Sequence, residues 1–487
     1  MTGEELLKTY IHRPGFWDEM FSEDQTRPEY RLLRKSLALS TLDILQEKDR
    51  LAGELFLSQG ITFTVYSDNE GIERIFPFDI IPRIITLRDW THIEKGITQR
   101  LKALNLFLKD IYSDQQILKD HVIPASLIAS CPNFTREVHG IKVAHDIHVH
   151  IAGIDLIRGA DGRFYVLEDN LRTPSGVSYM LENREVTKRL FPDLLAANQV
   201  QMISNYPLLL HRNLLSLATR QIANPVVVLL TPGIYNSAYY EHTFLARSMG
   251  IPLVEGRDLM VDNHKVYMKT TMGLQQVDVI YRRIDDDFMD PLVFRGDSAL
   301  GVPGIMSAYR KGNVVLVNAV GNGVADDKAV YAHVPDMIRY YLNEEPILHN
   351  IPTFQMQDPE QRAHVFSDIG NMVLKRTDQS GGYGMLMGNK AEENEIEEFR
   401  KAVDEDPRNF IAQPIIKLST VPCFIDGQLK SRHVDLRPFA LCGPDGVNIV
   451  PGGLTRVALR EGSLVVNSSQ GGGSKDTWIV DTERKQP

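Results

Sequence analysis

The longest regular pattern in the chain runs from Thr91 to Ser113, where Ile93, Ile97, Leu101, Leu104, Leu108 and Ile111 recur at three- and four-residue steps. That spacing predicts one helix with an apolar stripe facing a core, and Thr91 with Glu94 supplies a capping-box pair at its start. Residues 1 to about 120 read as mainly helical at both ends, with ITFTVYS as a strand between. FPFDIIPRII is a proline-interrupted segment that brings Asp79 and Arg83 close together, as an ion pair or at a ligand. A different pattern occupies residues 225–256: the apolar run PVVVLL, a TPG turn, a helix from about Ser237 to Gly250, and the short strand IPLVEG. With the further strand VDVIYRR, this unit builds a parallel, Rossmann-like sheet whose ligands belong at the carboxyl ends of the strands. TPGIYNS lacks the glycine fingerprint of a dinucleotide site. Next, NVVLVNAV predicts a strand and GNGVA a loop, and Asp326 with Asp327 opens a helix that carries Lys328 and runs to about Leu342.

Composition acts mainly by exclusion. A chain of 487 residues exceeds one core and implies roughly three domains, and 43% hydrophobic with 24% charged residues is the balance of a globular protein. No stretch has the apolar length of a membrane span, and Met1 to Arg13 lacks the pattern of a secretion signal, so the expected location is the cytoplasm. A net charge of −10 without a Lys/Arg run argues against nucleic acid. The three cysteines, Cys131, Cys423 and Cys442, have no CxxC spacing, which leaves neither a disulfide framework nor a zinc ribbon and puts them in the core.

Five segments carry candidate chemistry. DLIRGADGRFYVLEDN predicts a hairpin that sets Asp155 on one strand and Glu168 and Asn170 on the next, two apart and therefore on one face. Three hard oxygen donors without nitrogen or sulfur suit Mg²⁺ bridging nucleotide phosphates, and the alternative is an ordinary surface hairpin. NMVLKRTDQSGGYGMLMG places Lys375 on a strand before a loop containing Gly381, Gly382 and Gly384, where backbone amides and a lysine charge approach a phosphate group. In FIAQPIIKLS, Gln413 precedes a proline that ends the strand ladder and leaves backbone groups for an adenine edge. DLRPFALCGPDGVNIVPGGLTRVAL puts Arg437 and Arg456 on two strands of a hairpin, and LVVNSSQGGGSKDTW follows with Asn467 and three glycines.

Together these segments resemble the ATP-grasp superfamily, to which D-alanine:D-alanine ligases, glutathione synthetases and glutathionylspermidine synthetases belong. The usual order ends with Asp and Glu-x-Asn, whereas here Asp155, Glu168 and Asn170 come first and Asp327-Lys328, Lys375, Gln413, Arg437, Arg456 and Asn467 follow in order. An order conserved up to rotation resembles the circularly permuted ATP-grasp proteins, some of which carry a glutathionylspermidine synthase label. The resemblance implies a mixed α+β and α/β fold: a permuted ATP-grasp with a Rossmann-like pre-ATP-grasp unit and a helical N-terminal region. It implies a helical region at 1–120, a metal-binding part at 121–215, a Rossmann-like substrate domain at 216–300 and nucleotide-binding lobes at 301–487. It further implies ATP and Mg²⁺ as cofactors, with small-molecule or peptide carboxylates and amines as partners. The implied chemistry is amide formation through an acyl phosphate. By the same resemblance, Asp155, Glu168 and Asn170 hold metal; Lys328, Lys375, Gly381, Gly382, Gly384, Gln413, Arg437 and Asn467 hold nucleotide; Arg456 and Arg172 contact the acyl phosphate. Gln413 stands where the family commonly has glutamate, which leaves ribose recognition unassigned.

Other readings compete with this one. A kinase-like phosphotransferase and a non-catalytic nucleotide-binding scaffold both fit the same machinery. HDIHVH sets His148 and His150 on one face of a strand as a transition-metal pair, against a histidine-bearing strand packed beside the nucleotide site. The acidic run IDDD is a solvated turn or a site for a cationic acceptor such as a polyamine. Cys423, Ser468 and Ser469 have no neighbouring histidine in sequence to activate them as nucleophiles.

Overall fold

The helix expected over Thr91–Ser113 forms, but it starts a turn earlier and spans Leu87–Ile111. The strand Phe78–Thr86 runs straight into it, so extended Thr86 is the cap and accepts from the Asp89 amide. Thr91 lies inside the helix and donates its hydroxyl to the Leu87 carbonyl, so the Thr91–Glu94 capping pair does not form. All six residues of the apolar stripe are buried. The computed structural model from which these features are read describes residues 1–23, 25–67, 70–377, 384–460, 462, 466 and 472–483, with backbone only for the two strands within 62–75.

The stripe packs beneath a ten-stranded sheet. Its main path runs His349–Asn350, Phe164–Asn170, Ile151–Arg158, Gln428–Arg437, Leu454–Val457, Gly473–Val480 and Phe78–Thr86. Gly473–Val480 lies parallel to Phe78–Thr86, so late and early segments are neighbours, as a rotated segment order needs. Gln428–Arg437 and Leu454–Val457 are antiparallel neighbours but not a simple hairpin, because Phe439–Gly443 and Gly446–Ile449 form their own hairpin between them, and its first strand pairs onto Ile151–Arg158. Asp79 and Arg83, read as an ion pair or as ligand contacts, instead take separate partners within the protein. Arg83 bonds Glu19 at 2.6 Å and Asp79 faces Lys475 at 3.7 Å, all within the core.

The Rossmann-like unit forms four parallel strands in the order Val315–Val317, Val279–Arg282, Val227–Leu230 and Leu253–Val254. Its residues alternate between two cores: Val228, Leu230 and Ile280 enter one, Val227, Leu229 and Val279 the other. Burial on both faces is why the run is continuously apolar rather than alternating. The crossover helix Tyr239–Met249 stops at Gly250, whose φ of +69° suits a residue without Cβ. The helix expected from Asp327 to Leu342 is broken into Lys328–Tyr331 and Val334–Leu342. Pro335 sits at the start of the second piece, and its missing amide ends the first one's hydrogen-bond ladder.

A smaller antiparallel sheet, Phe354–Gln355, Phe410–Pro414, Met372–Arg376 and Met385–Met387, forms a separate lobe with helices Pro359–Ser367 and Glu393–Glu405. Met356, Val365, Leu374, Leu386, Val403 and Phe410 make its own apolar core. Because side chains alternate along a strand, burying Leu374 in this core sends Lys375 to the other face, toward the large sheet. No helix among the described residues is long and apolar enough to cross a membrane.

Candidate functional site

The hairpin Ile151–Arg158 and Phe164–Asn170 forms as expected, turning at Gly159–Gly162, where Gly162 has φ +78°. Asp155 lies directly opposite Glu168 in the register, and Gly153 opposite Asn170. Glu168 and Asn170 share a face, and the intervening Asp169 points the other way, where Arg100 of the long helix grips both its oxygens at 2.7 and 2.6 Å. Arg100 also donates to Asn350 at 2.7 Å, so the buried ion pair ties the acidic strand to the helix and to the neighbouring edge strand.

Across a cleft from this hairpin stands the small lobe. Glu168, Asp326, Lys328, Tyr331, Lys375 and Gln413 line the cleft together. Lys328 donates to Glu168 at 2.8 Å. Lys375 donates to the Gln413 side-chain oxygen at 2.7 Å, and Gln413 donates in turn to Thr353 at 2.9 Å. Burial pulls the Lys375 ammonium down from the usual lysine range to about 8, Lys328 adds to that shift, and Glu168 and Asp155 oppose it. Glu168 of the early hairpin and Lys375 of the later strand thus line one cleft. Gly384, with φ +64°, closes the loop after Lys375 on the described side; Gly381, Gly382 and Asn467 lie outside the described residues.

Asp155 is deeper and fully paired. Arg437 grips it at 2.5 and 2.8 Å, and Arg456 reaches its second oxygen at 2.6 Å. Arg456 is held at the same time by both oxygens of Asp435, which sits opposite it in the register. Burial alone would raise the Asp155 carboxyl, but Arg437 and then Arg456 outweigh it and hold the group down to about 2. Two buried carboxylates thus face two guanidiniums.

A magnesium ion would find here two carboxylates and an amide, all oxygen donors of the hard kind it prefers. Asn170 Nδ2 is buried without a hydrogen-bond partner, so that amide is not pinned through its nitrogen. Among the described residues no cluster of three or more His, Cys, Asp or Glu side chains is arranged to hold a metal. HDIHVH forms no such group among the described residues. His148 and His150 precede the strand rather than sharing its face, and burial lowers them to about 4 and about 3, so both are neutral.

Arg172 follows the acidic strand and is held by Asp326 at 2.9 Å, with Asp285 at 3.9 Å. The acidic run divides by role: Asp286 pairs with buried Arg282 at 2.6 Å and accepts from the Gly321 amide at 2.7 Å, whereas Asp285 is half exposed beside Arg172. Sequence reasoning missed Asn318, which accepts from the His150 and Ile151 amides and donates to the Ile151, Leu171 and Arg172 carbonyls. That one side chain joins the start of the first hairpin strand to the exit of the second. It also missed Asp435; an acid two positions before Arg437 on a strand, and so on its face, was the available signal.

Comparisons with known proteins bear on the family and the fold. Residues 82–458 match the family described as circularly permuted ATP-grasp type 2. An uncharacterized protein of Synechocystis is 52% identical over 97% of this chain and 99% of its own length. A Frankia alni protein, provisionally named glutamate–cysteine ligase 2-3, is 41% identical over 97% of this chain, which spans 54% of that longer protein. Among solved structures, the apo form of a glutathione synthetase-like effector from Globodera pallida superposes with a TM-score of 0.59 at 11% identity, covering 91% of this chain and 98% of that one.

Proposed function

Since the chain belongs to the circularly permuted ATP-grasp type 2 family, we propose that it is an ATP- and Mg²⁺-dependent carboxylate–amine ligase that works through an acyl phosphate. One observation carries the reading: lysines from two separate elements, Lys328 and Lys375, converge with Glu168 in a single cleft between the lobes. A cleft that offers cations to phosphates and carboxylates to a metal is what phosphoryl transfer needs, because the transferred group's charge must be neutralised as it moves. Magnesium, held by Asp155, Glu168 and Asn170, would supply that neutralisation together with the cations of the chain.

The chain's own residues divide the remaining work. Lys328 and Lys375 hold the phosphates, Gly381, Gly382 and Gly384 cover them, and Gln413 with the adjoining strand end receives the base. Arg437 and Asn467 complete the nucleotide contacts, while Arg456 and Arg172 steady the oxygens of the acyl phosphate. An amine then attacks the acyl carbon, the C–O bond to phosphate breaks, and an amide, ADP and phosphate result. The ligase name of the Frankia relative supports a C–N bond-forming reaction, and its glutamate and cysteine suggest amino acids or small peptides as the substrate class. Incubation with Mg²⁺-ATP and panels of amino acids, peptides and polyamines, followed by mass analysis, tests this. An amide with ADP is expected; a phosphorylated acceptor without amide would replace the ligase with a kinase.

The depressed Lys375 gives a second test. Near pH 9 that side chain is largely neutral in the free protein, and a phosphate beside it favours the ammonium form, so nucleotide binding should draw in up to about one proton. Calorimetry in buffers of different ionisation enthalpy measures the uptake. Lys375→Ala should remove it and weaken nucleotide binding by roughly 10–100-fold, the value of a charge-assisted bond. Equal affinity in the variant would contradict the phosphate role.

A further inference from the structure

The three charged groups around Asp155, Arg437, Arg456 and Asp435, are not equivalent in how firmly each is held. Arg456 contacts Asp435 through Nε at 3.0 Å to both oxygens and again through Nη2, so it stays anchored whatever happens at Asp155. Among the described residues Arg437 places two bonds on Asp155 and one, at 3.2 Å, on the Ser175 carbonyl. Asp435 faces Arg456 rather than Arg437, so a cation at Asp155 would leave Arg437 as the unbalanced charge of the group. A buried charge without a partner costs several kcal/mol, which neither group can bear alone.

We propose that Arg437 is an exchangeable guard on Asp155, which makes cation binding at that carboxylate and anion binding at the freed guanidinium mutually dependent. This rests on the metal and phosphate roles proposed above. With no anion in the cleft, Arg437 satisfies Asp155 and competes directly with a divalent cation. A phosphate group beside Arg437 takes over as its counter-charge and leaves Asp155 open to the cation. The sum of charges stays balanced in either state, and no buried group is left unpaired. By linkage the effect is reciprocal: the cation must strengthen phosphate binding by the same factor. Asp435 holds Arg456 in place throughout, which makes it a positioning residue. The device would keep the metal site closed until a phosphate-bearing ligand has entered.

Calorimetric titration with Mg²⁺ alone, with and without inorganic phosphate and corrected for their association in solution, tests the coupling. The wild-type chain is expected to bind Mg²⁺ about tenfold more tightly when phosphate is present, a coupling of typical size. Arg437→Gln should bind Mg²⁺ as tightly without phosphate as with it, since the competitor is gone. Arg437→Lys, which keeps a charge but loses the two-point grip, should lie between and guards against a folding defect in the first variant. Wild-type affinity that ignores phosphate, or an Arg437→Gln affinity no better than wild type, would overturn the proposal. Glu168→Gln separates the two readings. If it abolishes Mg²⁺ binding while the wild type shows no phosphate dependence, only the guard fails. If it leaves Mg²⁺ binding unchanged, the metal site and the guard fall together.

Discussion

Glu168→Gln is expected to lower ATP turnover by about three orders of magnitude, since a metal-held phosphoryl charge is worth several kcal/mol of barrier. The same change should leave the thermal midpoint within a few degrees. Glu168 is partly exposed to the cleft, with Lys328 as its ion-pair partner. The glutamine is also nearly isosteric and keeps an oxygen for the lysine to bond. Rate and stability therefore separate at this position. An ADP-release assay read beside a melting curve checks both. Turnover that persists in a folded variant would remove Glu168 from the metal set, and a collapsed melting curve would show that its pairing is structural after all.

Asp155→Asn should behave in the opposite way, with a loss of about 3–5 kcal/mol of stability added to any loss of activity. Removing that carboxylate leaves Arg437 and Arg456 buried against Asp435 alone, so one guanidinium has no counter-charge. A fall in the urea midpoint at neutral pH measures the cost. The acid limb of the stability curve offers a second reading. Because Asp155 is held below its ordinary value of 3.8, at about 2, its ionised form stabilises the fold above pH 3.8, and that contribution is lost as pH falls through about 2. The variant should lack this component and show a flatter decline over that interval. An unchanged urea midpoint would mean that the two arginines find other partners, and the neutral quartet would then have no role in holding the sheet together.

The contrast between two acids lying opposite one another in one hairpin is a matter of depth. Both were legible as a pair from the alternation of the strands and the Gly-containing turn, and the register confirms them as direct neighbours. Their different surroundings were not legible. Arg437 and Arg456 lie 282 and 301 positions from Asp155, on strands whose arrival beside it depends on the whole sheet closing. The sequence suggested those two strands were a hairpin, whereas the segment between them folds away to extend the sheet over Ile151–Arg158. Capping failed for a related reason: Thr91 and Glu94 satisfy the local rule, but the incoming strand delivers Thr86 first. The break before Val334 was available locally, since Pro335 sits in plain view, and the apolar spacing across it masked the signal.

What this sequence determined by itself are features set over a few residues: the stripe of the long helix, the two-sided apolar strands of the parallel sheet, and the shared face of Glu168 and Asn170. Backbone periodicity and residue chemistry act at short range, so they can be read along the chain. Only the tertiary structure decided which charges meet. That Lys328 reaches Glu168, that Lys375 is buried against Gln413, and that two arginines close over Asp155 follow from chain closure over hundreds of residues. The energy of a buried charge depends on every group around it, and no local pattern encodes that environment.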